Sequence, residues 1–182
     1  MSFVLAAYVV PACAVWAALG LVLGAVSALG SVVAPVACLT AGVYGLGYGV
    51  VEVSGLAWPA APGRRWQVPQ GFLIGADSRR RVLIWGAILG PGWLTRNPYA
   101  AFGLLPLLVL GTGQVVAAVV LAALIGAAHG SGRALALLRD AAAPSADPFE
   151  LVLRSIRWRQ ADGVALLAVA GAALMVAARL PR

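Results

Sequence analysis

The chain has 182 residues, 62% of them hydrophobic and 10% charged, with a mean hydropathy of +0.95 and a net charge of +7. Soluble domains carry about 25% charged residues, and a fold of this size could not hide so much apolar surface, so the composition excludes an ordinary soluble protein and points to one that uses lipid as its solvent. All 13 basic residues are arginine and lie between apolar segments rather than on a soluble basic domain, which argues against nucleic acid as a partner and for loop charge that sets membrane orientation.

A hydrocarbon core about 30 Å thick needs roughly 20 apolar residues in a helix. Residues 3–28 meet that requirement. No Lys or Arg precedes Arg64, so the segment lacks the basic region of a secretory leader and reads as a retained span. Residues 32–56 form a second span with Glu52 near its far end. Residues 57–81 hold five arginines together with Pro, Gly, Trp58 and Trp66, and read as a cytoplasmic loop with the two indoles at headgroup depth.

Residues 82–110 pose the hardest problem. As one straight helix they would be about 43 Å long, too long to stand upright in a bilayer, and they contain Gly90-Pro91-Gly92 and then Thr95-Arg96-Asn97-Pro98. The parts on either side are too short to cross alone, so the segment is either one broken span or a re-entrant pair. If it crosses once, Arg64, Arg65, Arg79, Arg80, Arg81, Arg133, Arg139, Arg154, Arg157 and Arg159 share one side and only Arg179 and Arg182 lie opposite. The bias of cytoplasmic loops toward basic residues favours that single broken crossing. A fourth span follows over 113–138. Residues 147–160 (DPFELVLRSIRWRQ) are amphipathic, with Asp147 able to cap and Pro148 at the first helical position, and suit a helix lying in the interface. A last span covers 164–180, and Asp162 near its start suits the helix dipole.

The expected fold is therefore an all-α polytopic membrane helix bundle: one transmembrane domain over residues 1–182, with about five spans, one of them broken, and one interfacial helix. Small residues let helices approach closely in lipid. Gly20, Gly24 and Ala28 recur every fourth residue in the first span, and Ala41, Gly45 and Gly49 in the second, which predicts a tight hairpin between these two. Ala122, Gly126 and Gly130 give the fourth span a similar stripe.

The chemistry-bearing residues are few. An arginine near the bilayer centre costs at least about 2.5–3.5 kcal/mol on insertion scales and usually faces a cavity, a partner or a ligand. A helix broken by Pro91 and Pro98 frees backbone groups that must be satisfied by protein or water. Gly92, Thr95, Arg96 and Asn97 are thus the expected ligand-binding residues for a small anionic or polar solute. The alternatives for Arg96 are an ion pair with Glu52 or a guanidinium that snorkels to an interface. His129 has no second His or Cys at ligand spacing, which argues against a metal site. Cys13 and Cys38 lie at different depths in a simple hairpin, about 16 Å apart along the helix axis, too far for a disulfide, and read as small buried apolar residues. No nucleophile elbow, phosphate-binding loop, zinc motif or dinucleotide fingerprint is present, so the chain points away from an enzyme and calls for no cofactor.

The stretch WGAILGPGWLTRNPYAAFGLLPLLVLG (residues 85–111), then LAALIGAAHGSGRALALL (residues 121–138) and a final apolar helix resembles half of the cytochrome c biogenesis and thiol–disulfide interchange transmembrane family. That resemblance covers about residues 85–178. It implies inverted three-helix repeats whose first helix is broken at a Cys-and-Pro motif, with two cysteines passing reducing equivalents across the membrane. Here Thr95, Arg96 and Asn97 stand where the reactive cysteine belongs and Pro98 alone matches, so the resemblance implies the scaffold without the relay.

Three functions follow as expectations. A small transporter-like protein binds its solute near Arg96. A non-catalytic subunit docks partner helices through its glycine faces. A redox protein works through Cys13 and Cys38. The bilayer is the expected partner, with a homo-oligomer or a larger membrane complex beside it. The expected location is the plasma membrane of a prokaryote (the cell inner membrane), N-terminus in the cytoplasm and C-terminus outside.

Overall fold

The computed structural model describes residues 1–56, 71, 74–92, 99–142 and 147–179. Within them the chain forms six helices and no strand: α1 (Ser2–Ala28), α2 (Val33–Ser54), α3 (Ser78–Leu89), α4 (Ala101–Leu110), α5 (Val115–Ala142) and α6 (Pro148–Arg179). Four of them, α1, α2, α5 and α6, are long and apolar enough to cross a membrane. This is a helical, multi-pass membrane architecture in length and composition.

Several boundaries differ from those expected. The Asp77 side chain accepts a hydrogen bond from the Arg80 amide at 2.7 Å and starts α3 at Ser78, so Arg79, Arg80 and Arg81 belong to a helix rather than to the 57–81 loop. Residues 82–110 divide into α3 and α4, of 12 and 10 residues. The interfacial helix over 147–160 and the last span over 164–180 are not separate elements: α6 runs unbroken for 32 residues, about 48 Å at 1.5 Å per residue. Asp162 does not open a helix but sits in the middle of one. Nothing between Gln160 and Val164 breaks the helical hydrogen bonding, since a single Gly163 costs only about 1 kcal/mol relative to alanine.

The helices gather into two compact units. The first takes in Met1–Val22, Gly63–Asn97 and Val119–Pro144; the second takes in Leu23–Pro62, Pro98–Ala118 and Ser145–Arg182.

In the first unit α1 packs on α3 and α5 through glycine. Ala7, Tyr8 and Ala134 are buried, with Val4, Leu5, Val82, Trp85 and Leu89 around them. A methyl group on Gly86 would collide with the Ala7 carbonyl, and one on Gly90 would lie 2.5 Å from the Tyr8 carbonyl oxygen. From α5, Gly126 faces Ala12 and Cys13 and Gly130 faces Tyr8 and Val9, again at distances that leave no room for a side chain.

In the second unit α2 and α6 run antiparallel in close contact. Gly42 meets Leu174, Gly45 meets Ala170, Gly49 meets Leu167, and Gly163 of α6 meets Glu52 and Val53. The Gly45 position is 3.0 Å from the Leu166 carbonyl oxygen once a Cβ is placed on it, so here the two backbones themselves touch. Ala41, Ala100, Leu104, Leu166 and Ala173 form the buried core, flanked by Tyr44, Tyr48 and Leu107.

Gly24 of the α1 stripe and Gly45 and Gly49 of the α2 stripe, expected to meet each other, are filled by other helices. Gly45 and Gly49 receive α6. Gly24 receives Val115 and Ala118 at the start of α5, and the Gly126–Gly130 stripe receives α1. A stripe of small residues marks a face where a helix can come close; it carries no information about which helix does so.

Candidate functional site at the edges of segment 93–98

Of the four residues expected to bind a solute, Gly92 lies in the described structure; Thr95, Arg96 and Asn97 lie outside the described residues. What the structure defines is how each end of that segment is held.

The leading edge belongs to the first unit. α3 ends at Leu89, and Gly92 takes a backbone φ of 76°, the left-handed region that glycine enters without a steric penalty. Its amide closes the turn on the Leu89 carbonyl at 3.1 Å. Pro91 is buried, and its carbonyl accepts a hydrogen bond of 3.0 Å from Trp16 Nε1. Trp16 is itself fully enclosed. A proline flanked by two glycines ends the helix because it lacks an amide hydrogen and crowds the preceding turn. The indole then satisfies a carbonyl that the terminated helix leaves open, as burial requires.

The trailing edge belongs to the second unit. Tyr44 of α2 donates its hydroxyl to the Ala100 carbonyl at 2.9 Å. Asp162 of α6 accepts from the Ala101 amide at 3.2 Å, with a further backbone bond from Ala100. The first amides of a helix have no partner inside it, and the N-cap residue Ala100 makes no side-chain cap bond. The cap comes instead from a helix 61 residues further along the chain. Tyr44 and Tyr48 stack with ring centroids 4.6 Å apart. Together with Glu52 they follow at i, i+4 and i+8 on α2, so one helical face carries all three.

Glu52, expected as a possible ion partner for Arg96, pairs with Arg159 of α6 at 2.7 Å between Oε2 and Nε. The sequence held no means of choosing among thirteen arginines; the antiparallel register of α2 and α6, set by their glycines, brings this one to Glu52.

Cys13 donates weakly to the Ala123 carbonyl at 3.6 Å and Cys38 to the Gly111 carbonyl at 3.7 Å; both are free thiols and Cys38 is buried. Mass-tagging of denatured membranes with a maleimide reagent is expected to add two tags per chain, both before and after treatment with a thiol oxidant. Loss of both tags on oxidation would support a redox role for this pair.

The partners of the two edges escaped the reading of the sequence. Trp16 lies in a run of apolar residues and looks like any lipid-facing or core aromatic. Tyr44 and Tyr48 had one available signal, their spacing with Glu52. Asp162 had another: an acid embedded in an apolar helix requires a local partner. No family model, no curated protein and no solved structure matches this chain.

Proposed function

We propose that the protein is a small transporter-like membrane protein whose polar site is segment 93–98, with Arg96 binding a small anionic or polar solute and Gly92, Thr95 and Asn97 beside it. In this reading residues 82–110 cross the bilayer once, as a broken span; the ten arginines that then share a side support a cytoplasmic N-terminus, in the plasma membrane of a prokaryote.

The observation that carries the reading is the way the helix stops and restarts. α3 is terminated at Gly90-Pro91-Gly92, α4 begins at Ala101, and the groups at both edges are met by side chains from other helices: Trp16 at Pro91, Tyr44 and Asp162 at Ala100 and Ala101. Backbone groups left open where a helix ends inside a bilayer must be met by protein or water, and half-helix ends are where transporters hold ions and solutes. An arginine in that place has the right charge for an anion.

The test is flux into proteoliposomes loaded with reporter for chloride, sulfate, phosphate or acetate. The wild-type protein is expected to move at least one of them, and Arg96→Ala and Arg96→Glu to abolish that flux while still inserting and remaining monodisperse in detergent. Undiminished flux in both variants sinks the reading. A well-folded wild type that moves none of the four supports the other function, a non-catalytic subunit that docks partner helices, which then predicts co-purification with a larger complex.

A further inference from the structure

We propose that Asp162 is a proton-sensitive latch on the start of α4: ionised, its carboxylate holds the first amides of that helix; protonated, it lets them go. The reason lies in where the bonds run. The Phe102 and Gly103 amides turn back to the Tyr99 and Ala100 carbonyls at 3.3 and 3.0 Å. The Ala101 amide has its acceptor in Asp162 instead. A helix N-terminus carries a partial positive charge and favours a carboxylate over a neutral acid, and a charged acceptor makes a stronger bond than a neutral one.

The surroundings leave Asp162 as the acid whose charge meets α4. From α2, Tyr44, Tyr48 and Glu52 face this region, and both Tyr44 and Glu52 interact electrostatically with Asp162. Glu52 is already neutralised by Arg159, one turn before Asp162 on α6. α4 contributes no titratable side chain, and Tyr99 lies two residues before it. The sign follows: the latch is closed while Asp162 is ionised and opens as the pH falls through its titration. Its bearing on a solute rests on the reading of residues 93–98 given above; the latch itself does not.

Hydrogen exchange read by mass spectrometry on the full-length protein in nanodiscs tests it, with pH varied from about 8 to about 3, a range spanning carboxylate titration, and rates corrected for intrinsic exchange. Protection of a peptide covering residues 99–104 is expected to fall on the order of tenfold on acidification, while peptides covering residues 166–174 of α6 keep theirs. Asp162→Asn, which retains an acceptor oxygen and loses the charge, is expected to show the low value at every pH. Glu52→Gln is expected to retain the pH dependence. Constant protection in the wild type, the same fall in Asp162→Asn, or abolition of the fall by Glu52→Gln overturns the latch. Because exchange is read without any solute, a failed flux experiment and a failed latch are separate results; if Asp162→Asn does not fold, the pH dependence of the wild type and of Glu52→Gln still decides.

Discussion

Gly86→Val is expected to destabilise the protein by about 3 kcal/mol or more, the upper end of overpacking effects, and to lower its thermal midpoint in detergent accordingly. A Cβ at this position meets the Ala7 carbonyl group of α1 and lies 3.1 Å from the Tyr8 amide nitrogen. Backbone cannot swing aside as a flexible side chain can. α1 would have to move as a unit, and Gly130 on its α5 side has its own Cβ position 2.7 Å from the Tyr8 carbonyl oxygen, so the same turn of α1 is gripped by two helices. The control is Gly132→Ala, a position with nothing within 4 Å. There the substitution is expected to be neutral or to stabilise by up to about 1 kcal/mol through helix propensity. Equal midpoints for the Gly86 variant and wild type would show that α1 and α3 do not pack at this distance.

Trp16→Ala is expected to cost about 4 kcal/mol, as for other fully buried large side chains. Trp16 has 0% exposure, so the truncation leaves a cavity rather than a surface notch. The substitution also removes the donor to the buried Pro91 carbonyl. Trp16→Phe separates the two contributions: it keeps most of the volume and loses the N–H, with an expected loss of about 1–3 kcal/mol from the stranded acceptor. Thermal unfolding of both variants, followed in the same detergent, checks the order Ala worse than Phe worse than wild type. A Phe variant as stable as wild type would mean that the Pro91 carbonyl has another acceptable partner and that Trp16 does not hold the leading edge of segment 93–98.

Particular residues show how far each kind of reading reaches. The lengths of α1, α2 and α5 follow from apolar runs alone, since the bilayer demands about 20 such residues whatever their neighbours. The stop at Leu89 was also legible, because Pro91 between two glycines ends a helix by local sterics. The continuity of α6 was not. The charged residues of its first half look interfacial when read by themselves, although nothing between Gln160 and Val164 ends the helix that runs from Pro148 to Arg179. Nor was the start of α3 at Ser78, where Asp77 serves as a cap within a stretch that reads as loop.

Composition and hydropathy by themselves determined that this is an α-helical membrane protein, which faces were built for close approach, and where a helix had to stop; each of these depends on interactions within a few residues or with the solvent. Tertiary structure alone decided the pairings: α2 with α6, Glu52 with Arg159, Trp16 with Pro91, and Asp162 with the first amides of α4. Those contacts join residues 60 or more positions apart. Their selection rests on shape and register over whole helix surfaces, where a glycine on one face admits the backbone of another helix only if the remaining contacts fit as well.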